Sequence, residues 1–204
     1  MHGVGIIGRA RAGKDTLASV LIEERGFTRV GFADSMKALA LKADPMIEGP
    51  LPDWGYPAEG LVDLVRQKGW ERAKDDHAET RRFLQRLGTG ARDVLGEDVW
   101  LRAWERKAHQ FPRVVVPDVR FENEADLLRA KGYTLVRVVR PGLSTSDTHV
   151  SETEQESIRA DVTISNDSTY AAYLRRAHNF MEALDRCCAS PIGVAVLRKV
   201  TPAG

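Results

Sequence analysis

The sequence predicts an α/β fold in which a parallel sheet is covered by helices on both faces. Three observations predict it. Strand-like apolar runs alternate with helical patterns along the chain. One run, RVVVPDVRF at 113–121, is apolar almost throughout, as a strand buried on both faces requires. The chain also opens as a short strand, a glycine-bounded loop and a helix, in that order.

Each element follows from its residues. MHGVGIIG reads as a buried strand built on Val4, Ile6 and Ile7, with glycines where backbone must approach closely. Leu17, Val20, Leu21 and Ile22 recur at helical spacing, and Gly26 supplies a stop. Thr28 to Phe32 is a second strand, followed by the helix ADSMKALALKAD, which Asp34 or Ser35 would cap. Pro45, Pro50, Pro52 and Pro57 mark a loop beginning near Asp44, and residues 58–110 read as mainly helical. After 113–121 come the helix ENEADLLRAKG, the strand YTLVRVVRP, a polar and mobile stretch over 142–157, the strand ADVTISND and the helix STYAAYLRRAHNFMEALDRC. The tail from Pro191 has no placement, and no internal repeat occurs.

Composition narrows the function. The 204 residues carry 30 Lys+Arg against 29 Asp+Glu, which argues against non-specific binding to long DNA or RNA. No run approaches the about 20 apolar residues that cross a bilayer, so no membrane role is expected. Only Cys187 and Cys188 occur, adjacent to each other, so a disulfide framework is not expected and a cytoplasmic protein fits best. The 30 cations divide into 22 Arg and 8 Lys. Arginine's planar fork suits phosphate and carboxylate.

The loop carries the sharpest signal. Gly8-Arg9-Ala10-Arg11-Ala12-Gly13-Lys14 fits G-x-x-x-x-G-K between a strand and a helix. Such a loop turns its backbone N–H groups toward a polyphosphate at the positive end of the helix, while Lys14 reaches the outer phosphates. A hydroxyl normally follows the lysine to meet Mg²⁺. Here Asp15 follows, and Thr16 comes one residue later. Asp15 would repel phosphate unless it holds a metal or orients an arginine or the acceptor; alternatively, it is an acidic first-turn residue favoured by the helix dipole. Asp118, at the carboxyl end of an apolar strand, lies where ligands sit in open α/β sheets and could hold Mg²⁺ through water. Arg120, two residues on, would share that edge, or the two would form an ion pair. Asp34 and Lys37 share one helix face, and Gln85, Thr89 and Arg92 share another if their helix runs through Gly88. Trp54, Trp70, Trp100 and Trp104 suit packing better than base stacking.

Beyond the loop, the chain resembles the bacteriophage deoxynucleoside monophosphate kinases. The resemblance rests on GRARAGKDT (8–16), FADSMK (32–37), LQRLGTGARDVLGEDVWL (84–101), VVVPDVRFENEA (114–125), RPG with HVSE (140–142 and 149–152) and ADVTISND (160–167), in that order. It implies the P-loop nucleoside monophosphate kinase fold: a five-stranded parallel core, a helical acceptor-binding insertion and a lid. Mapped onto this chain, the core is 1–43, 84–140 and 158–190, the insertion about 44–83, the lid about 141–157 and the tail 191–204, all in one domain. The implied reaction moves the γ-phosphoryl group of ATP onto a deoxynucleoside monophosphate with Mg²⁺, and a homodimer is possible within it.

The implied roles divide the site. ATP would meet Gly8, Arg9, Ala10, Ala12, Gly13, Lys14, Asp15 and Thr16, with Lys14, Arg11, Asp15 and the lid arginine Arg140 catalytic. The acceptor would meet Asp34, Lys37, Arg81, Gln85, Thr89, Arg92, Trp100, Arg120, His149 and Ser151, with Gln85 reading a base edge and Arg92 taking the phosphate. The metal would meet Asp15, Thr16 and Asp118. Phosphomevalonate kinases share the GKD loop and form the alternative within enzymes. A guanine-nucleotide switch is disfavoured because the late strand reads SND without the lysine of N-K-x-D, and Val-Arg-Phe follows Asp118.

Overall fold

A computed structural model describes residues 2–49, 58–143 and 150–188, with side chains described over 3–49, 58–143 and 154–186. Trp54, His149, the side chains of Ser151, Cys187 and Cys188, and the tail 191–204 lie outside those residues. The described chain forms two compact units, one of residues 1–31 and 106–204 and one of residues 32–105.

The first unit is built on strands β1 (His2–Ile7), β2 (Thr28–Arg29), β5 (Arg113–Val119), β6 (Thr134–Val139) and β7 (Val162–Ser165), ordered β2-β5-β1-β6-β7 and parallel throughout. Helices α1 (Lys14–Arg25), α6 (Glu122–Ala130), α7 (Val150–Ser157) and α8 (Tyr170–Cys188) belong to it as well. Parallel strands buried on both faces cannot alternate apolar with polar residues, and Val4, Ile6, Ile7, Val114, Val115, Val116, Leu135 and Val136 are all fully buried. On one face Val4, Ile6, Val115, Val136, Val138 and Ile164 pack with Leu17 and Leu21 of α1 and with Tyr173, Ala177, Phe180 and Met181 of α8. On the other, a side chain at Gly5 would stand 2.7 Å from both Leu128 of α6 and Leu135, so only glycine fits there.

This strand order fixes where a ligand goes. The connection leaving β1 runs to one side of it, to β2, whereas the connection leaving β5 crosses to β6 on the other. Adjacent strands whose connections part in this way open a crevice at their carboxyl ends. The loop after β1 and residues Asp118 to Arg120, at the end of β5, flank it.

The second unit holds α2 (Ala33–Ala43), a small hairpin of β3 (Met46–Ile47) with β4 (Glu59–Gly60), α3 (Leu61–Asp76), α4 (Ala78–Leu95) and the start of α5 (Val99–Ala108). Ala40, Ile47, Leu61, Leu64, Ala73 and Leu84 form its core. Gly69 interrupts α3 at φ 73°, dividing it into two segments.

Three expectations differ from what is observed. The second strand is shorter, ending at Arg29. The N-cap of α2 is Phe32 and no side chain caps it, so neither Asp34 nor Ser35 has that part. The polar stretch 142–157 contains a helix, α7, because Gln155 and Ile158 are buried and Arg137 donates a hydrogen bond from Nη2 to the Gln155 carbonyl at 3.1 Å. Burial lowers the pKa of Arg137, against the field of Glu156.

Candidate functional site

The loop between β1 and α1 is closed by its own backbone. Gly8 and Gly13 lie at φ 152° and 108°, and Arg11 at 62°, a left-handed conformation uncommon for a side-chain-bearing residue. Such reversals turn successive N–H groups to one side, which is the geometry of an anion nest. Gly13 is also the N-cap of α1, so the first turn of that helix, beginning at Lys14, opens directly onto the loop.

The loop's carbonyls need donors as well. Lys14 Nζ lies 2.6 Å from the carbonyl oxygen of Gly8 and 2.7 Å from that of Arg9. The amide of Ala12 also donates to Arg9, at 3.2 Å. Arg140 Nη1 reaches the carbonyl of Arg11 at 3.4 Å. Asn166 Nδ2 donates to Ala12 at 2.9 Å, and the Tyr173 hydroxyl donates to Gly13 at 2.8 Å. Arg9 pairs with Glu156 of α7, its Nε 2.9 Å from the carboxylate. That tie runs between the loop and the segment expected to be the lid.

At the other side of the crevice, Asp118 is half-buried against Gly31. A side chain at Gly31 would come within 2.8 Å of its carboxylate. Arg120 follows, its backbone N–H held at 2.8 Å by the Glu124 carboxylate, which also accepts from Phe121 and closes the first turn of α6.

The residues expected to meet an acceptor divide between the units. Arg120 belongs to the first, whereas Asp34, Lys37, Arg81, Gln85, Thr89, Arg92 and Trp100 belong to the second. There α4 runs unbroken through Gly88, so Gln85, Thr89 and Arg92 do share a face. Gly88 fixes their register: a side chain there would stand 3.0 Å from Met36 of α2, and the Trp100 indole N–H donates to the Gly88 carbonyl at 3.0 Å. Trp100 is buried, and with its indole N–H bound to α4 it packs within this unit. Lys37 lies over the Trp70 ring, 5.5 Å from its centroid, and Arg81 Nη2 is 3.3 Å from Asp75. Burial raises the pKa of Glu71, but the Lys74 hydrogen bond and the fields of Lys37 and Arg81 outweigh it and leave the pKa lowered. The surroundings of Glu71 are therefore positive.

The model of the family described as deoxynucleotide monophosphate kinase matches residues 64–176. A putative deoxynucleotide monophosphate kinase of Acanthamoeba polyphaga mimivirus is 32% identical over 177 residues, covering 81% of this chain and 89% of that one. The chain belongs to the deoxynucleotide monophosphate kinase family. The enzymes of that name from Enterobacteria phage T4 and Escherichia phage RB69 are 29% and 30% identical over 119 and 95 residues, stretches that span 48% and 39% of their lengths. A solved dephospho-CoA kinase from Campylobacter jejuni covers 91% of this chain and 98% of that one at 14% identity and a TM-score of 0.41, too loose a likeness to bear on substrate.

Two residues that contact the loop escape a reading of the sequence. Asn166 was visible only as part of ADVTISND, and Tyr173 only as one apolar position of a helix. No spacing rule announces a side chain that reaches a loop about 150 residues earlier in the chain.

Proposed function

We propose that this chain, as a member of its family, phosphorylates deoxynucleoside monophosphates with ATP as donor, through the loop at 8–16. The observation that carries the reading is the nest itself: reversed backbone at Gly8, Arg11 and Gly13 at the mouth of α1, with Lys14 folded over it. In the reaction the bond between the γ-phosphorus and its bridging oxygen breaks, and a bond to an oxygen of the acceptor monophosphate forms. Two anions must approach, so the protein's task is to position them and neutralise charge.

Lys14, released from the Gly8 and Arg9 carbonyls, would bind the outer phosphates. Arg11 and Arg140 would meet the transferring group, and Arg9 the donor side. Arg92, with Gln85 and Thr89 on its face of α4, would take the acceptor, Arg92 at the phosphate and Gln85 at a base edge. Asp34, Lys37, Arg81 and Arg120 would complete that side, and His149 and Ser151 would act from the lid. Closing the lid would exclude water, without which the γ-phosphoryl group would be lost to hydrolysis.

The donor set suits Mg²⁺. Among the described residues no group of three or more His, Cys, Asp or Glu gathers to cage a metal. The half-buried carboxylate of Asp118 and the exposed Asp15 and half-buried Thr16 in the first turn of α1 are hard oxygen donors. Mg²⁺ takes one or two carboxylates and completes its shell with water and substrate phosphates. When bound, with Asp118, Asp15 and Thr16 to hold it, it would offset the negative charge of the donor's phosphates.

The test is an ADP-release assay with ATP and every deoxy- and ribonucleoside monophosphate as acceptor. Turnover with one or more deoxynucleotides is expected. Turnover with phosphomevalonate and no nucleotide would replace the acceptor, and ATP hydrolysis unaffected by any acceptor would overturn the reading.

A further inference from the structure

A loop that points its N–H groups at phosphate must hold its carbonyls elsewhere. Backbone amides take part, Ala12 at the Arg9 carbonyl and Leu17 at that of Gly13, both at 3.2 Å, and the side chains that join them are of two kinds. Lys14 and Arg140 are cations, at the carbonyls of Gly8, Arg9 and Arg11. Both are residues that a bound polyphosphate would attract, so their ties to the loop are exchangeable. Asn166 and Tyr173 are neutral, at the carbonyls of Ala12 and Gly13. Phosphate offers them no such competition.

The neutral pair is also the better anchored. Tyr173 is 1% exposed within the core between α8 and the sheet. Burial pushes its phenol up to about 12, so it remains a hydrogen-bond donor throughout the neutral range. Asn166 directly follows β7, and its own N–H continues the ladder to the Val139 carbonyl at 2.7 Å. Arg176 of α8 grips both neighbours of Asn166, donating to the Ser165 carbonyl at 2.7 Å and to the Asp167 carboxylate at 2.6 Å. The two groups close on Gly13 from the same side. A side chain there would meet the Asn166 amide nitrogen at 2.8 Å and the Tyr173 ring at 3.3 Å.

We propose that Asn166 and Tyr173 are positioning residues for phosphoryl transfer. They fix the Ala12 and Gly13 carbonyls outward while Lys14 and Arg140 leave the loop for the donor nucleotide. Without Asn166 the Ala12 carbonyl loses its side-chain donor and can turn toward the phosphates. Without Tyr173 the Gly13 carbonyl keeps only its first-turn bond from the Leu17 amide at 3.2 Å, so the start of the helix is held less tightly against the nest. The proposal rests on the phosphate-loop part of the reading above and is independent of the acceptor.

The experiment compares the wild-type protein with Tyr173→Phe, Asn166→Ala and Asn166→Asp by calorimetric titration with ADP, by KM for each substrate, and by thermal unfolding. Tyr173→Phe keeps the ring that packs the core and deletes only the hydroxyl; Asn166→Asp keeps the shape and deletes the N–H donors. Each single variant is expected to bind ADP about tenfold more weakly and to raise the donor KM to a similar degree, the effect of one lost hydrogen bond in a site already desolvated. The acceptor KM is expected to stay within about twofold, because the hydrogen bonds removed run to the donor loop and to none of the residues proposed for the acceptor. Wild-type ADP affinity in Tyr173→Phe and Asn166→Asp would overturn the proposal. So would equal losses for donor and acceptor that track a fall in thermal stability, since that marks packing alone. Should Asn166→Ala fail to fold, Tyr173→Phe decides. Wild-type protein that binds ADP and phosphorylates no deoxynucleotide overturns the proposed function and leaves this inference standing.

Discussion

In the proposed function, the phosphate loop and the helical unit over 32–105 would bind anions by opposite means. The loop does so with backbone: reversed dihedrals at Gly8, Arg11 and Gly13 turn N–H groups inward, and side chains serve largely to hold the carbonyls out. The helical unit has side chains to offer, with Gln85, Thr89 and Arg92 along α4 and Lys37, Lys74 and Arg81 around Glu71. A backbone site needs particular residues at fixed spacing. A side-chain site needs only a helix in the right register, and many sequences can supply that.

The largest way to test that difference is Lys14→Ala. It is expected to lower turnover by at least about 10³-fold while thermal unfolding is unchanged, because the side chain serves the ligand and not the core. Rates and melting curves on the same preparation check it. Near-normal turnover would mean that the nest does not bind the donor.

Gly13→Ala attacks the backbone itself. Its φ of 108° disfavours any Cβ, and that Cβ would stand 2.8 Å from the Asn166 amide. Activity is expected to fall about 10²-fold through donor KM and kcat together, with strain costing about 1–3 kcal/mol of stability as well. An equivalent change on the helical side should behave differently. Arg92→Ala is expected to raise the acceptor KM by about 10- to 100-fold, the range for a lost charge-assisted hydrogen bond, with the donor KM unmoved. Steady-state kinetics with each substrate varied in turn would reveal an effect on ATP, which would move Arg92 to the donor side.

The contrast explains what the sequence disclosed. GRARAGKDT was legible because glycine, lysine and the flanking strand and helix are each required locally. The parallel sheet was legible because RVVVPDVRF has no polar face to offer water. Trp100 was harder: its motif suggested an acceptor contact, but only the packed unit reveals that its indole N–H is donated to Gly88. The helix over 150–157 escaped notice because its sequence is polar, and the buried Gln155 and Ile158 with the Arg137 clamp that anchor it are tertiary facts. Asn166 and Tyr173 were hidden for the same reason. They act on a loop far away in the chain.

Smaller effects sharpen the comparison. Glu156→Gln removes the charge that pairs with Arg9, yet both side chains are substantially exposed. A change in stability of under about 1 kcal/mol is expected. Any rise in donor affinity on titration with ADP would mean that Glu156 competes with phosphate for Arg9. Thr80→Val tests stability alone. The Thr80 hydroxyl is fully buried in α4 with no hydrogen-bond partner among the described residues, so replacing it by a methyl group is expected to stabilise the protein by about 1 kcal/mol and leave both KM values as they were. Chemical denaturation alongside the kinetics checks both.

The central claim is that the loop at 8–16 delivers the γ-phosphoryl group of ATP to a deoxynucleoside monophosphate. The most direct measurement follows a radioactive label in that group, with the products separated by chromatography for wild-type protein and for Lys14→Ala. The account predicts label in a deoxynucleoside diphosphate with the wild-type protein and none above background with the variant. Label recovered only as inorganic phosphate, or transferred equally by both proteins, would contradict it.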